Sequence, residues 1–128
     1  MKVLALDYGP ARTGVAVSDP TGTVARPLEV VERAGSGPGL QRLVQLVREE
    51  EAERVVVGLP LTLSGDVGEQ ARETQAFLAD LKAQVDVPVD MYDERFTTKL
   101  AGPRGDDAHA AAILLMGYLE WLASKAAR

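Results

Sequence analysis

Two short apolar runs joined by a Gly- and Pro-containing turn constrain the fold of this chain most. Val3–Leu6 leads directly into Asp7, and Val15–Val17 follows a turn that carries Arg12. Runs of this length, separated by turn residues, are typical of two neighbouring strands. An acid at the end of a buried strand destabilises a fold unless it has a partner, so we expect an arginine, a metal ion or a substrate donor beside Asp7.

The rest of the chain alternates between the periods of strands and helices. Residues 23–31 predict a third strand, in which Pro27 favours an edge position. The later pattern predicts a loop at 35–39, a helix with its apolar stripe at 40–47, a strand at 55–57, a helix from 67 that ends before 85, a strand at 87–92 and a helix over 110–122. We therefore predict a single α/β domain over residues 1–128. Its mixed five-stranded sheet has three antiparallel strands followed by parallel strands, and helices flank it.

Composition limits the kinds of site that this domain can hold. The 128 residues include no cysteine, which excludes disulfides and thiolate metal sites. Any metal must therefore be held by oxygen ligands or by His109, the only histidine, for which a position on the helix surface is favoured. Nineteen acids against fourteen bases give a net charge of −5, which argues against non-specific coating of nucleic acid. The lack of a long apolar run or a signal-peptide pattern predicts a soluble, cytoplasmic protein without membrane contact.

Acidic residues follow the predicted parallel strands where functional groups usually gather. Asp7 ends the first strand, and Asp93-Glu94 ends the fifth. Such ends meet at one edge of a mixed sheet. Asp107 lies on the first turn of the last helix, in line with its buried stripe, and should face the sheet. Asp7, Glu94 and Asp107 then form a three-carboxylate cluster suited to Mg²⁺ or Mn²⁺.

Each of these acids also has a structural interpretation. Asp7 is the kind of residue that begins turns. Asp107 is placed where acids cap helices or complement the helix dipole, although Asp106 beside it is the better cap. Glu94 is able to form a surface ion pair with Arg95. The residues by themselves leave the role of Asp107 evenly divided between structure and function.

Basic and hydroxyl side chains are predicted at the rim of the same edge. The candidates for contact with substrate phosphates are Arg12, Arg95, Thr97, Thr98, Lys99 and Arg104, with Thr62 and Ser64 as further hydroxyl donors. Arg12 and Arg95 are the strongest of them. We also expect the glycines of the first turn to approach a phosphate backbone.

Five spaced motifs together resemble one known family. They are Leu6-Asp7-Tyr8-Gly9 with Arg12-Thr13-Gly14, Ser18-Asp19-Pro20, Gly58-Leu59-Pro60, Asp93-Glu94-Arg95 with Thr97-Thr98, and Asp107 with Ala110 to Leu115. This set is similar to the YqgF family, also called RuvX. The resemblance implies a ribonuclease H-like fold and Asp7, Glu94 and Asp107 as catalytic acids. It also implies a nuclease that acts on pre-16S rRNA or on Holliday junctions. The segment between Thr98 and Asp106 is shorter than is usual in the family.

The function hypothesis is a metal-dependent endonuclease that acts on structured nucleic acid, most simply in the 5′-end processing of pre-16S rRNA. Two metal ions held by the acids would assist hydrolysis and leave a 5′-phosphate. One alternative is a Holliday junction resolvase, which needs two active sites and hence a homodimer. Another is a nucleic-acid-binding or assembly factor without catalysis. An actin-like ATPase also begins with a similar turn, but it needs a second comparable domain. Tyr118 and Trp121 are open to either contact or core positions.

Overall fold

The computed structural model describes residues 1–59, 68–93 and 107–126. Its strands are β1 (Val3–Asp7), β2 (Arg12–Ser18), β3 (Ala25–Glu32), β4 (Arg54–Leu59) and β5 (Val89–Asp93). Its helices are α1 (Gly37–Glu49), α2 (Glu69–Lys82) and α3 (Asp107–Ala126). The order of these elements is the predicted one. None of the helices in this part of the chain has both the length and the hydropathy needed to cross a membrane.

The described strands form one mixed sheet in the order β3-β2-β1-β4-β5. The pairs β1–β2 and β2–β3 are antiparallel, whereas β1–β4 and β4–β5 are parallel. The predicted fold class is therefore confirmed. Pro27 lies on the edge strand β3, as expected, and the β2–β3 ladder shifts register beside it, between Val15 and Ala16. A bulge at this point is compatible with a residue that has no N–H to donate.

The two faces of the sheet have separate hydrophobic cores. Leu4 and Leu6 of β1 pack with side chains of α1 and α2, whereas Val3 and Ala5 pack with side chains of α3. This division follows from the alternation of side chains along a strand. Asp7, two residues beyond Ala5, therefore belongs to the side of the sheet that α3 covers.

Helix α1 begins at Gly37, inside the predicted loop 35–39, so the loop prediction is wrong for residues 37–39. The Oγ atom of Ser36 accepts a hydrogen bond from the N–H of Gly39 at 3.4 Å and caps the helix. Pro38 occupies the first turn, where a backbone N–H has no partner within the helix. These two residues start a helix despite the glycines around them, because capping offsets the low helix propensity of glycine.

Candidate active site at the carboxyl edge of the sheet

Asp7 marks the carboxyl edge of the parallel strands. It is the last residue of β1, it is half-buried, and it lies opposite Gly14 in the β1–β2 ladder. On the other side of β1, Leu6 pairs with Val57, so the ends of β1 and β4 are adjacent. Strand β5 ends at the same level, since Leu59 pairs with Asp93. The ends of these strands are therefore placed as the sequence predicts.

The start of α3 rests directly on the backbone of β2. A Cβ atom added to Gly14 would lie 1.7 Å from the carbonyl oxygen of Asp107 and 2.9 Å from the amide nitrogen of Ala108. No side chain fits in that space, so the close approach requires glycine. Because Gly14 is opposite Asp7, the contact brings Asp7 and Asp107 to the same corner of the molecule.

Arg12, the first residue of β2, forms an ion pair with Asp107. Its Nε atom lies 3.1 Å from Oδ2 of Asp107, and the two side chains are 66% and 33% exposed. Arg12 and Gly14 are two residues apart on one strand and so share a face. The sequence predicts Arg12 as a phosphate contact and an arginine beside Asp7, but it does not predict the ion pair of Arg12 with Asp107. An ion pair this exposed contributes only about 0.2–1 kcal/mol to stability.

A tight turn fixes the backbone of Arg12. The hydroxyl of the buried Thr13 lies 3.5 Å from both the N–H and the carbonyl oxygen of Gly9, with which it forms long hydrogen bonds. A Cβ atom on Gly9 would lie 2.5 Å from the carbonyl oxygen of Arg12. Both glycines therefore have a local structural reason, apart from the expected approach to a phosphate, which stays a prediction. The space beside Gly9 and Gly14 is filled by the backbone of the protein itself.

Tyr8 anchors the turn on the other face of the sheet. Its ring stacks on Phe77 of α2, with centroids 4.3 Å apart and an interplanar angle of 17°. Burial raises the pKa of the Tyr8 hydroxyl, and the charges of Glu73 and Asp80 raise it further. Tyr8 has no predicted role of its own. The alternation along β1 contains the necessary information, because Tyr8 follows Asp7 and so takes the face of Leu4 and Leu6.

The family model for the Holliday junction resolvase RuvX matches residues 1–121 of the chain. This chain belongs to the RuvX family. The match includes β1, the turn at Arg12 and the first turn of α3, which together build the corner just described. A resolvase is a nuclease, so the family places the chain among the hydrolases of nucleic-acid phosphodiester bonds.

Relatives in the RuvX family align with nearly the whole chain. A protein of Rubrobacter xylanophilus is 50% identical over 131 residues, which cover 93% of this chain and 92% of the relative. A protein of Desulforamulus reducens is 37% identical over 133 residues, which cover 94% and 97%. Both are provisionally named as pre-16S rRNA nucleases.

Solved structures of resolvases have the same fold as this RuvX family member. The Thermus thermophilus RuvC structure in complex with a Holliday junction substrate has a TM-score of 0.62 at 19% identity, covering 96% of each chain. The Fowlpox virus resolvase in complex with Holliday junction DNA has a TM-score of 0.60 at 12% identity, covering 95% of this chain and 99% of its own. At these identities the likeness shows the fold alone, and it confirms the predicted ribonuclease H-like architecture.

The other predicted site residues of this RuvX protein are not among those that the structure describes. These are Glu94, Arg95, Thr97, Thr98, Lys99, Arg104, Asp106, Thr62 and Ser64. Within the ranges 1–59, 68–93 and 107–126, no three His, Asp or Glu residues form a group able to hold a metal ion. His109 is exposed on α3, as predicted. The described part of the candidate site is therefore the pair Asp7 and Asp107 with Arg12.

Proposed function

We propose that this protein is a metal-dependent endonuclease that processes the 5′ end of pre-16S rRNA, with Asp7, Glu94 and Asp107 as its catalytic acids. The observation that carries the proposal is the contact at Gly14, which holds Asp107 at the corner where Asp7 ends its strand. Two acidic residues far apart in sequence thus lie at the edge where sheets of this kind bind their ligands, which supports the proposal. The names of the relatives support RNA as the substrate.

The side chains at this corner fit a divalent cation. Carboxylate oxygens are the ligands that Mg²⁺ and Mn²⁺ prefer, and the chain has no cysteine to favour a softer metal. Asp107 is 33% exposed, so an ion from solvent has access to it. Its carboxylate already binds a cationic group, the guanidinium of Arg12. Asp7 and Asp107 would be ligands of the ion, and we assign Glu94, which directly follows β5 in sequence, as the third.

The basic and hydroxyl side chains of the protein would position the substrate, and its strands and helices would hold the acids in place. When bound, divalent ions activate a water molecule and stabilise the leaving 3′ oxygen of the phosphodiester. Asp7 at the end of a paired strand and Asp107 at a packed helix start need little reorganisation to serve as ligands. We assign the contacts with substrate phosphates to Arg12, Arg95, Thr97, Thr98, Lys99 and Arg104. Such contacts carry no base specificity, so the shape of the nucleic acid would select the substrate.

A second candidate function is Holliday junction resolution, which the description of the matching family model favours. The chemistry would be the same, because both substrates present a phosphodiester to the same acids. Paired cuts in opposing strands would in addition require two active sites and hence a homodimer. With either substrate, we expect the protein to act in the cytoplasm.

The test is cleavage of two substrates in parallel. The wild type is incubated with Mg²⁺ or Mn²⁺ on precursor 16S rRNA and on a four-way DNA junction, and Asp7→Asn is assayed beside it. We expect Asp7→Asn to reduce cleavage by at least about 100-fold, since even the outer-shell partners of metal ligands cost about 10–100-fold. Asp86→Asn is the matched control, because Asp86 is exposed and precedes β5 at the opposite edge of the sheet.

The outcomes separate the candidates. If the wild type cleaves the precursor RNA and Asp7→Asn does not, the proposal is supported. If the wild type cleaves only the four-way junction, Holliday junction resolution becomes the favoured function. Equal trace cleavage by the wild type and Asp7→Asn would eliminate the nuclease. Binding of either substrate without cleavage would instead identify a non-catalytic assembly factor.

A further inference from the structure

The ion pair between Arg12 and Asp107 joins two groups that the proposed function uses separately. Asp107 is assigned to a divalent ion and Arg12 to a substrate phosphate, yet here the Arg12 Nε atom lies 3.1 Å from Asp107 Oδ2. We propose that Arg12 occupies the metal position at Asp107 in the unloaded protein and is transferred to a substrate phosphate when a divalent ion binds. This inference rests on the proposed function and goes beyond it, because it makes the two binding events interdependent.

The ion pair already supplies Asp107 with a positive charge. Carboxylates held close together repel one another, and each raises the free energy of the other's charged form. Arg12 neutralises Asp107 without closing the site, because the Arg12 side chain is 66% exposed. The guanidinium is therefore a removable counter-charge at the open side of the corner.

A divalent ion and Arg12 compete for the same carboxylate oxygen. Two cations at one oxygen repel, so binding of the ion at Oδ2 would displace the guanidinium. The exposed pair is weak enough to be broken, since pairs of this kind change an equilibrium by only about 1.5- to 5-fold. Competition should therefore lower metal affinity by a few-fold without preventing binding.

The displaced guanidinium would remain at the mouth of the site. Arg12 is held by the tight turn at Gly9 and Thr13, so its backbone does not need to move when its side chain turns away. A guanidinium is a fork of donors that matches the geometry of a phosphate. Metal binding would thus release a phosphate donor, and phosphate binding would free a metal ligand. Coupling of this kind is reciprocal.

The primary experiment measures Mn²⁺ affinity without nucleic acid, by calorimetry on wild type, Arg12→Gln and Arg26→Gln. Arg26 is the matched control, because it is 59% exposed, pairs with Glu50 at 3.5 Å and carries the same charge away from the site. We expect Arg12→Gln to bind Mn²⁺ about 2- to 5-fold more tightly than wild type, and Arg26→Gln to remain close to wild type. Equal affinities, an equal gain in both variants, or no Mn²⁺ binding by any of them would overturn the proposal.

A second measurement separates displacement from simple charge repulsion. The Nε–H resonance of Arg12 is followed by ¹H–¹⁵N NMR during titration with Mg²⁺. Displacement predicts that the resonance shifts and exchanges faster with water at saturation, because Nε loses its carboxylate partner. A resonance unchanged at saturating Mg²⁺ would refute it. Neither measurement uses cleavage. If the metal ion displaces Arg12 in a protein that cleaves no substrate, only the nuclease proposal is rejected. If the protein cleaves its substrate but Arg12 is not displaced, only this inference is rejected.

Discussion

Arginine and aspartate pair at both edges of the sheet, next to the same helix, but in different ways. At the carboxyl edge, Arg12 makes one contact with Asp107, the first residue of α3. At the amino edge, Arg54 donates to Asp90 Oδ2 at 2.7 Å, and the hydroxyl of Tyr118 in α3 donates to the same oxygen at 2.8 Å. Arg54 also donates to the Tyr118 oxygen at 3.2 Å, which closes the Arg54–Asp90–Tyr118 trio.

The Arg54–Asp90–Tyr118 trio has the features of a structural contact. The trio joins β4, β5 and α3, and the Tyr118 side chain is fully buried between them. Each member hydrogen-bonds to the other two, although Nε of Arg54 is buried without a partner in the described part of the chain. Hydrogen bonds of charged groups in partly buried surroundings contribute more to stability than exposed pairs do. The pair at the carboxyl edge is open to solvent and is held by a single contact. We infer that the trio fixes the position of α3, whereas Arg12–Asp107 is available for exchange with a ligand.

The largest change in stability is expected where α3 rests on Gly14. Gly14→Ala forces a Cβ atom against the Asp107 backbone, so we expect a loss of about 3 kcal/mol or more in the free energy of unfolding. Urea denaturation measures this loss. Gly37→Ala is the matched control, because a Cβ atom there would have no neighbour within 4 Å. Similar stability of both variants would show that the start of α3 yields easily and that the corner is not fixed by Gly14.

The sequence predicts which edge of the sheet these residues occupy, but not the contacts between them. Alternation in β1 and the apolar stripe of α3 are local periodicities, and they are sufficient to place Asp7 and Asp107 at one edge. The trio has no local pattern, since its members are 28 to 64 residues apart in sequence. The Arg12–Asp107 contact likewise depends on how α3 crosses β2, which is set by Gly14. Tyr118, left open between core and contact, is a core residue, whereas Trp121 is 45% exposed.

Exchanging aspartate for asparagine at each edge should produce opposite effects. Asp107→Asn is expected to reduce metal-dependent cleavage by at least about 100-fold and to change the free energy of unfolding by less than about 1 kcal/mol. Asp90→Asn is expected to lower that free energy by about 1–2 kcal/mol, because Arg54 loses its charged partner, and to leave cleavage per folded molecule unchanged.

Both variants are measured by urea denaturation and by the cleavage assay, with protein concentrations corrected for the folded fraction. If Asp107→Asn is the more destabilised of the two, the carboxyl-edge pair is structural. If Asp90→Asn loses cleavage while fully folded, the trio acts on the site through α3.

The smallest expected effect concerns the hydroxyl of Tyr118 and depends on pH. Burial raises the pKa of Tyr118, and its hydrogen bond to Asp90 raises it further, against the opposing effect of Arg54. The folded protein therefore keeps a proton that the unfolded chain releases above about pH 10. The stabilisation is fully present below that pH and is lost as pH rises through the folded pKa.

We expect Tyr118→Phe to be about 0.5–1.5 kcal/mol less stable than wild type at pH 7, with the gap narrowing above pH 10. Urea denaturation of both proteins at pH 7, 9 and 11 measures the gap. A gap that stays constant to pH 11 would mean that the Tyr118 hydroxyl acts through packing and not as the proton donor to Asp90.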